Sequence, residues 1–192
     1  GKAPPGSTQS EALARAAAMI ETLNAAAPRI EAARELPPDV LAAMHKAKLF
    51  RLLVPKSLGG YELDMRSHVE AMETIARGDA STAWVVGQGS GCSMSAAYLA
   101  PEAARRWFGP ANAALAWGAG IQGKAVQVEG GYRVSGKWTF SSGSRHATIL
   151  GGHSFILDGA GAPILEADGS AMNRTLLFRR DQAEIYDIWN VM

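Results

Sequence analysis

The spacing of apolar residues divides the chain into two stretches of different period. Through the first hundred residues, apolar positions recur at helical spacing in a background of Ala, Leu, Met and Glu, all good helix formers. The pattern predicts a helix over 10–27 that ends before Pro28, because proline disfavours the helical region in the residue before it. Pro37-Pro38 opens a second helix over 39–47, with Val40, Leu41, Met44 and Ala47 on one face. An apolar run over 49–54 leads into Pro55 and Gly59-Gly60, a turn signal. A third helix covers 66–77, a fourth capped by Asp79 or Ser81 runs to Leu99, and Pro101 starts a fifth through Trp107.

After Gly109-Pro110 the period changes to two. Val126 and Val128 alternate with polar residues, Gly130-Gly131 follows, and Tyr132 and Val134 resume the alternation. This predicts a hairpin whose two glycines supply the positive φ of a tight turn. Further strands are expected over 137–140, 148–157, 174–178 and 184–188. Helices first and strands second give an α+β chain, with a helical domain over 1–109 and a β domain over 110–192.

Composition narrows the function classes. The 192 residues carry 19 Lys+Arg against 18 Asp+Glu, a net charge of +1, which argues against a nucleic-acid or anionic-membrane partner. One cysteine, Cys92, allows no internal disulfide, and the four histidines have no ligand-like spacing, so no metal site is expected. The most apolar stretch, 83–100, is interrupted by Gln88, Ser90, Ser93 and Ser95, and no membrane span or leader is read from it. A cytoplasmic location is the expectation.

The stretch GGYRVSGKWTFSSGSRHATILGG (130–152) carries the candidate chemistry. A hairpin delivers Trp138, Thr139, Phe140, Ser141, Ser142 and Gly143 to the end of a strand. Hydroxyls and backbone amides beside two aromatic rings suit a planar ligand with a polar edge. The same residues also fit a Ser-Gly turn after a core strand with Trp138 buried. His146 fits either a hydrogen-bonding role at a strand start or a pocket role, and His45 and His68 fit surface or satisfied positions on helices. Cys92 reads as a small buried hydrophobe, with no histidine within two helical turns.

Three segments, VPKSLGGYELD (54–64), DASTAWVV (79–86) and GGYRVSGKWTFSSGSRHA (130–147), resemble in wording and order the acyl-CoA dehydrogenase superfamily. The resemblance is nearest to its flavin-dependent monooxygenase branch, the oxygenase components of hydroxyphenylacetate and steroid-phenol hydroxylases. The dehydrogenases usually carry an acidic TEP-like loop and a WITN/S-like segment. AWGAGIQGKA (116–125) and WTFSSG (138–143) stand at those positions. The branch often places a histidine on the pocket helix, and Gly91-Cys92-Ser93-Met94 has none.

The resemblance implies a helical domain followed by a β-barrel, with the family's C-terminal four-helix bundle absent from this chain. It implies reduced FMN or FAD as cofactor, supplied by a separate reductase. Oxygen would then pass from a C4a-hydroperoxyflavin to an aromatic or polycyclic substrate. Trp117, Gly118, Gln122, Trp138, Thr139, Phe140, Ser141, Ser142 and Gly143 are the implied flavin contacts, with Ser141 or Ser142 as the catalytic hydroxyl. Trp84, Gln88, Gly91, Cys92 and Ser95 are the implied substrate-side residues. Trp189 would meet the bundle, and the complete protein would be a homo-oligomer. An acyl-CoA dehydrogenase-like FAD oxidoreductase and a non-catalytic fragment are the alternatives.

Overall fold

The computed structural model describes residues 8–188. Six helices come first: α1 (Thr8–Ala18), α2 (Ile20–Ala33), α3 (Pro38–Lys46), α4 (Met65–Ala76), α5 (Ala80–Ser93) and α6 (Pro101–Phe108). Five strands follow: β1 (Leu115–Trp117), β2 (Gly123–Val128), β3 (Gly131–Gly136), β4 (Ile149–Leu157) and β5 (Asn173–Arg179). Asp64 caps α4 by accepting from Ser67 N at 2.9 Å, and Asp79, not Ser81, caps α5 by accepting from Thr82 N at 2.6 Å.

The helix expected over 10–27 is instead two, broken at Met19, and α2 runs through Pro28 to Ala33. Leu23, Ala26 and Ile30 continue one buried stripe across the proline. Pro28 and Asn24, whose carbonyl loses its donor, both face solvent. Water can satisfy that carbonyl, so burial of the stripe outweighs the missing hydrogen bond.

The expected barrel is an open mixed sheet among the described residues. One edge of β4 is shared end to end: β1 pairs in parallel with its first half, Leu115↔Ile149 to Trp117↔Gly151, and β2 with its second, Gly123↔Ser154 to Val126↔Leu157. β5 runs antiparallel on the other edge of β4, and β3 extends the sheet beyond β2. β3 and β5 do not pair with each other, so the sheet does not close. The hairpin register Val128↔Gly131 leaves Glu129-Gly130 as the loop; Gly130 takes φ +76° and Gly131 belongs to β3.

Residues 137–140 form no strand, because Trp138 folds back over the sheet and Phe140 adopts φ +56°. Nor do residues 184–188 form a strand. Trp189 lies outside the described residues.

Helices and sheet share buried side chains. Cys92, Ala96 and Phe108 pack with Leu115 and Ile149, and Ala114 joins the helical core around Leu23, Phe50 and Ile75. Small residues on α5 allow this approach: Gly89 lies against Phe50 and the Leu115 carbonyl, and Ser93 Oγ accepts from Leu115 N at 3.4 Å. Arg51, only 3% exposed, fixes the junction. Its guanidinium donates to Pro110 O at 3.0 Å, to Phe108 O at 2.8 Å and to Leu58 O. The Phe108 carbonyl at the C-terminus of α6, with those of Pro110 and Leu58, thus stands in for a carboxylate partner, and burial lowers the guanidinium from its usual pKa.

Arg51→Met is expected to cost roughly 3 kcal/mol, because three carbonyls lose their donor in a buried site. Urea unfolding measures it, and a loss below about 0.5 kcal/mol contradicts the assignment.

Candidate active site

The gap between β1 and β2 on the shared edge of β4 shapes the site. Residues 118–122 must bulge out there, opposite Gly152 and His153. The His153 carbonyl accepts from Gln122 N at 3.2 Å and from Trp138 Nε1 at 3.0 Å, so both expected flavin-facing segments hang from one acceptor. The Gln122 carboxamide donates to Ala119 O at 2.8 Å and lies 3.2 Å from Thr139 Oγ1, while its oxygen accepts from Thr139 N at 3.0 Å. Gly118 is pressed against the second segment, for a Cβ there would lie 2.1 Å from Thr139 O. Trp117, Gly118, Gln122, Trp138 and Thr139 are therefore brought together.

The two indoles pack on successive glycines of β4. Trp117 leans over Gly151 and meets the His153 ring edge-on at 5.4 Å. Trp138 covers Gly152 together with Gly123 and Gly136, and lies 5.7 Å from Phe178. Successive residues of a strand face opposite sides, so Trp117 is on the helix side and Trp138 on the far side. Trp138 anchors its segment to the sheet, half-buried and outside any strand. A Cβ at Gly123 or Gly152 would sit 2.4 Å from the Trp138 ring, so those positions require glycine.

From Phe140 onward the chain turns tightly. Ser142 N donates to Phe140 O, Ser144 N to Ser141 O and Ala147 N to Gly143 O. Phe140 holds a left-handed φ of +56° while 72% exposed. That backbone conformation is costly for a residue with a Cβ. The backbone N–H groups of Ser141 and Gly143 and the hydroxyls of Ser141 and Ser142 make no hydrogen bond within the described residues. Four donors thus remain unspent beside an exposed aromatic ring. Such a set fits the heteroatom edge of an isoalloxazine, where hydrogen bonds can be accepted along one side of a planar ring.

Gly143 sits against α5, where a Cβ would be 3.5 Å from Val85 Cγ1. Trp84, next to Val85 and 61% exposed, shares one helical stripe with Gln88 and Gly91, whereas Ser95 lies in the 3-10 turn after α5 with its hydroxyl buried and unpartnered among the described residues. Gly91 meets nothing within 4 Å and opens to space, whereas Gly87 and Gly89 are occupied by Met72 and Phe50. Cys92 departs from the stripe: it is buried near the Trp117 backbone, and burial pushes its thiol pKa up. Among the described residues no group of His, Cys, Asp and Glu could hold a metal ion, and no helix is long and apolar enough to cross a membrane.

Several contributors lie outside the segments 117–122 and 138–143. His146 Nε2 accepts from Leu36 N at 3.2 Å, and Arg145 pairs with Glu35 at 3.0 Å and Asp187 at 3.1 Å. These contacts dock the turn on the α2–α3 linker, the hydrogen-bonding role among the two read for His146. His153 and Arg51 were not singled out as site residues; the Gly151-Gly152 pair inside an apolar strand was the signal for a close approach there. His68 is buried with Nε2 unpartnered, contrary to the surface or satisfied position expected of it.

Residues 7–114 match the family model "Acyl-CoA dehydrogenase, N-terminal domain", and the chain belongs to that family. It is 30% identical over 179 residues to the flavin-dependent monooxygenase oxygenase subunit HsaA of Rhodococcus jostii (strain RHA1), covering 91% of this chain and 44% of that protein. With the oxygenase component of the FADH(2)-dependent resorcinol hydroxylase of Rhizobium sp. (strain MTP-10005), identity is 31%, covering 93% and 42%. The fold matches XiaF from Streptomyces sp., solved with FADH2 and glycerol, at TM-score 0.85 and 25% identity over 96% of this chain and 45% of that one. The chain thus spans less than half the length of the curated relatives it matches.

Burial lowers the pKa of His45, His68, His146 and His153. Each stays neutral in the fold where the unfolded chain takes up a proton, so their contribution is complete above about pH 6.5 and is lost as pH falls through the folded values. His146→Ala leaves Leu36 N without its acceptor and is expected to cost about 1–3 kcal/mol at pH 7.5. Denaturant titrations at pH 7.5 and pH 5 should show that gap narrowing in acid; an equal gap at both contradicts the neutral acceptor.

Proposed function

We propose that this chain is the helical and flavin-facing part of the oxygenase component of a two-component flavin-dependent monooxygenase. The observation that carries the reading is the row of unspent donors at Ser141, Ser142 and Gly143 beside the exposed Phe140 ring. Bound reduced FAD or FMN would supply two electrons to dioxygen, placing one oxygen atom in the substrate and releasing the other as water. The protein's part is to hold the flavin edge by Ser141 N–H, Gly143 N–H and the two hydroxyls, and to keep water from it. Thr139, Gly118 and Gln122 support that edge, and Trp117 and Trp138 fix its two segments to the sheet. Ser141 or Ser142 is the hydroxyl that acts at the reacting face.

An aromatic substrate fits beside this edge, along Trp84, Gln88, Gly91 and Ser95, where Trp84 offers a ring for stacking and Gly91 leaves space. Cys92 supports that wall from behind. The relatives named as flavin-dependent oxygenase components support the same chemistry. In this reading residues 1–109 and 110–192 are the helical and flavin-facing domains, a flavin reductase is a transient partner, and the complete protein self-associates.

Anaerobic titration with reduced FAD and reduced FMN is expected to give saturable binding. Ser141→Ala with Ser142→Ala should weaken it about tenfold, at roughly 0.7 kcal/mol per hydroxyl. The reading fails if neither reduced flavin binds, or if the double variant binds as the wild type does. Tight retention of oxidised FAD that is bleached by an acyl-CoA would favour the dehydrogenase alternative.

A further inference from the structure

We infer that Gln122 is a positioning residue, locking the two ligand-facing segments to each other without itself touching the ligand. The inference rests on the flavin reading above for what the lock serves, and on the chain's own hydrogen bonds for the lock itself. The carboxamide is spent on both sides. Nε2 donates to Ala119 O at 2.8 Å, closing its own loop, and lies 3.2 Å from Thr139 Oγ1. Oε1 accepts from Thr139 N at 3.0 Å and lies 3.3 Å from Thr139 Oγ1. Thr139 in turn spends its N–H and its hydroxyl on Gln122, so neither residue keeps a spare hydrogen-bond donor for a ligand edge.

The geometry also explains why glutamine is suited to the position. The lock needs a donor and an acceptor on one planar group, at the reach of two methylenes from a backbone already fixed by Gln122 N donating to His153 O at 3.2 Å. Glutamate is the same length but, ionised, has no donor for Ala119 O. Asparagine is a methylene short. The approach of Gly118 to Thr139 O brings the two backbones close enough for a single side chain to span them. Ser141 and Gly143, whose donors remain unspent, begin two residues beyond the locked Thr139. Their placement follows from the lock.

Single and double variants of the full chain distinguish a lock from direct contacts. Gln122→Ala and Thr139→Val are each expected to weaken reduced-flavin binding about tenfold. The double variant should be no weaker than the worse single, because both break one device. Thr139→Ser, which keeps the hydroxyl, should restore wild-type affinity. Losses that multiply to about a hundredfold would mean that each residue touches the ligand independently and would overturn the proposal. Unchanged affinity in Gln122→Ala would do the same.

Hydrogen exchange on the flavin-free chain supplies an arm independent of cofactor. Gln122→Ala should speed exchange at the Thr139 amide and across 119–122, while β5 is unaffected. Unchanged exchange at both places overturns the lock whether or not flavin binds. If the wild type binds no flavin and the variant still loosens both segments, the flavin reading falls and the lock stands.

Discussion

β4 has only one edge to offer β1 and β2, and it gives half to each. This sharing governs the rest of the site. Two short strands cannot abut without a connection, so 118–122 must loop away where Gly152 and His153 have no strand opposite. The carbonyl of His153 would otherwise be an unpaired acceptor at a strand break, at a cost comparable to a lost hydrogen bond. Gln122 N and Trp138 Nε1 both satisfy it. A requirement of sheet hydrogen bonding thus gathers two segments far apart in sequence onto one end of the sheet.

Glycine makes the gathering possible. The Trp138 ring lies where side chains at residues 123, 136 and 152 would stand, and the Trp117 ring lies over residue 151. With the indoles taking up the sheet faces, the chain beyond Trp138 is free to turn, and Phe140 and Gly143 take the positive φ values that turn it. The helical layer supports the turn from the other side through Leu36 N on His146 and through Glu35 on Arg145. Arg51 holds the α6–β1 connection and so fixes where the first strand begins. The donors of Ser141–Gly143 are thereby carried by elements that bury their own side chains elsewhere, the arrangement a preorganised site needs.

Much of this was legible in the sequence. Helical periodicity placed α3, α4 and α6 to within a residue or so, because each buries one face and the spacing reports it, and alternation placed the β2–β3 hairpin; β4 is buried on both faces and shows no alternation. The motif at 138–143 was expected to meet a ligand because it sets hydroxyls, glycine and aromatics together, and the same residues make the turn. What local pattern could not carry was long-range. Pro28 was read as a stop because its local cost is visible and the continuing stripe at Ile30 is not. The resemblance implied a closed barrel, whereas pairing partners are set by the β4 edge and not by any strand alone. Gln122 and Thr139 were both expected as ligand contacts; the hydrogen bonds that join them span two separate loops and leave no mark on either loop's own pattern. Arg51 looked like an ordinary cation in an apolar run, since its three carbonyl partners come from distant turns.

The central claim is that one continuous edge, built from 117–122 and 138–143 and flanked by the exposed stripe of α5, receives a reduced flavin. Hydrogen-exchange footprinting of the chain with and without reduced FAD tests it directly. The account predicts protection concentrated in 117–123, 138–144 and the part of α5 around Trp84 to Gly91, with β3 and α2 unchanged. Protection confined to other surfaces, or none in these segments at saturating flavin, would contradict it.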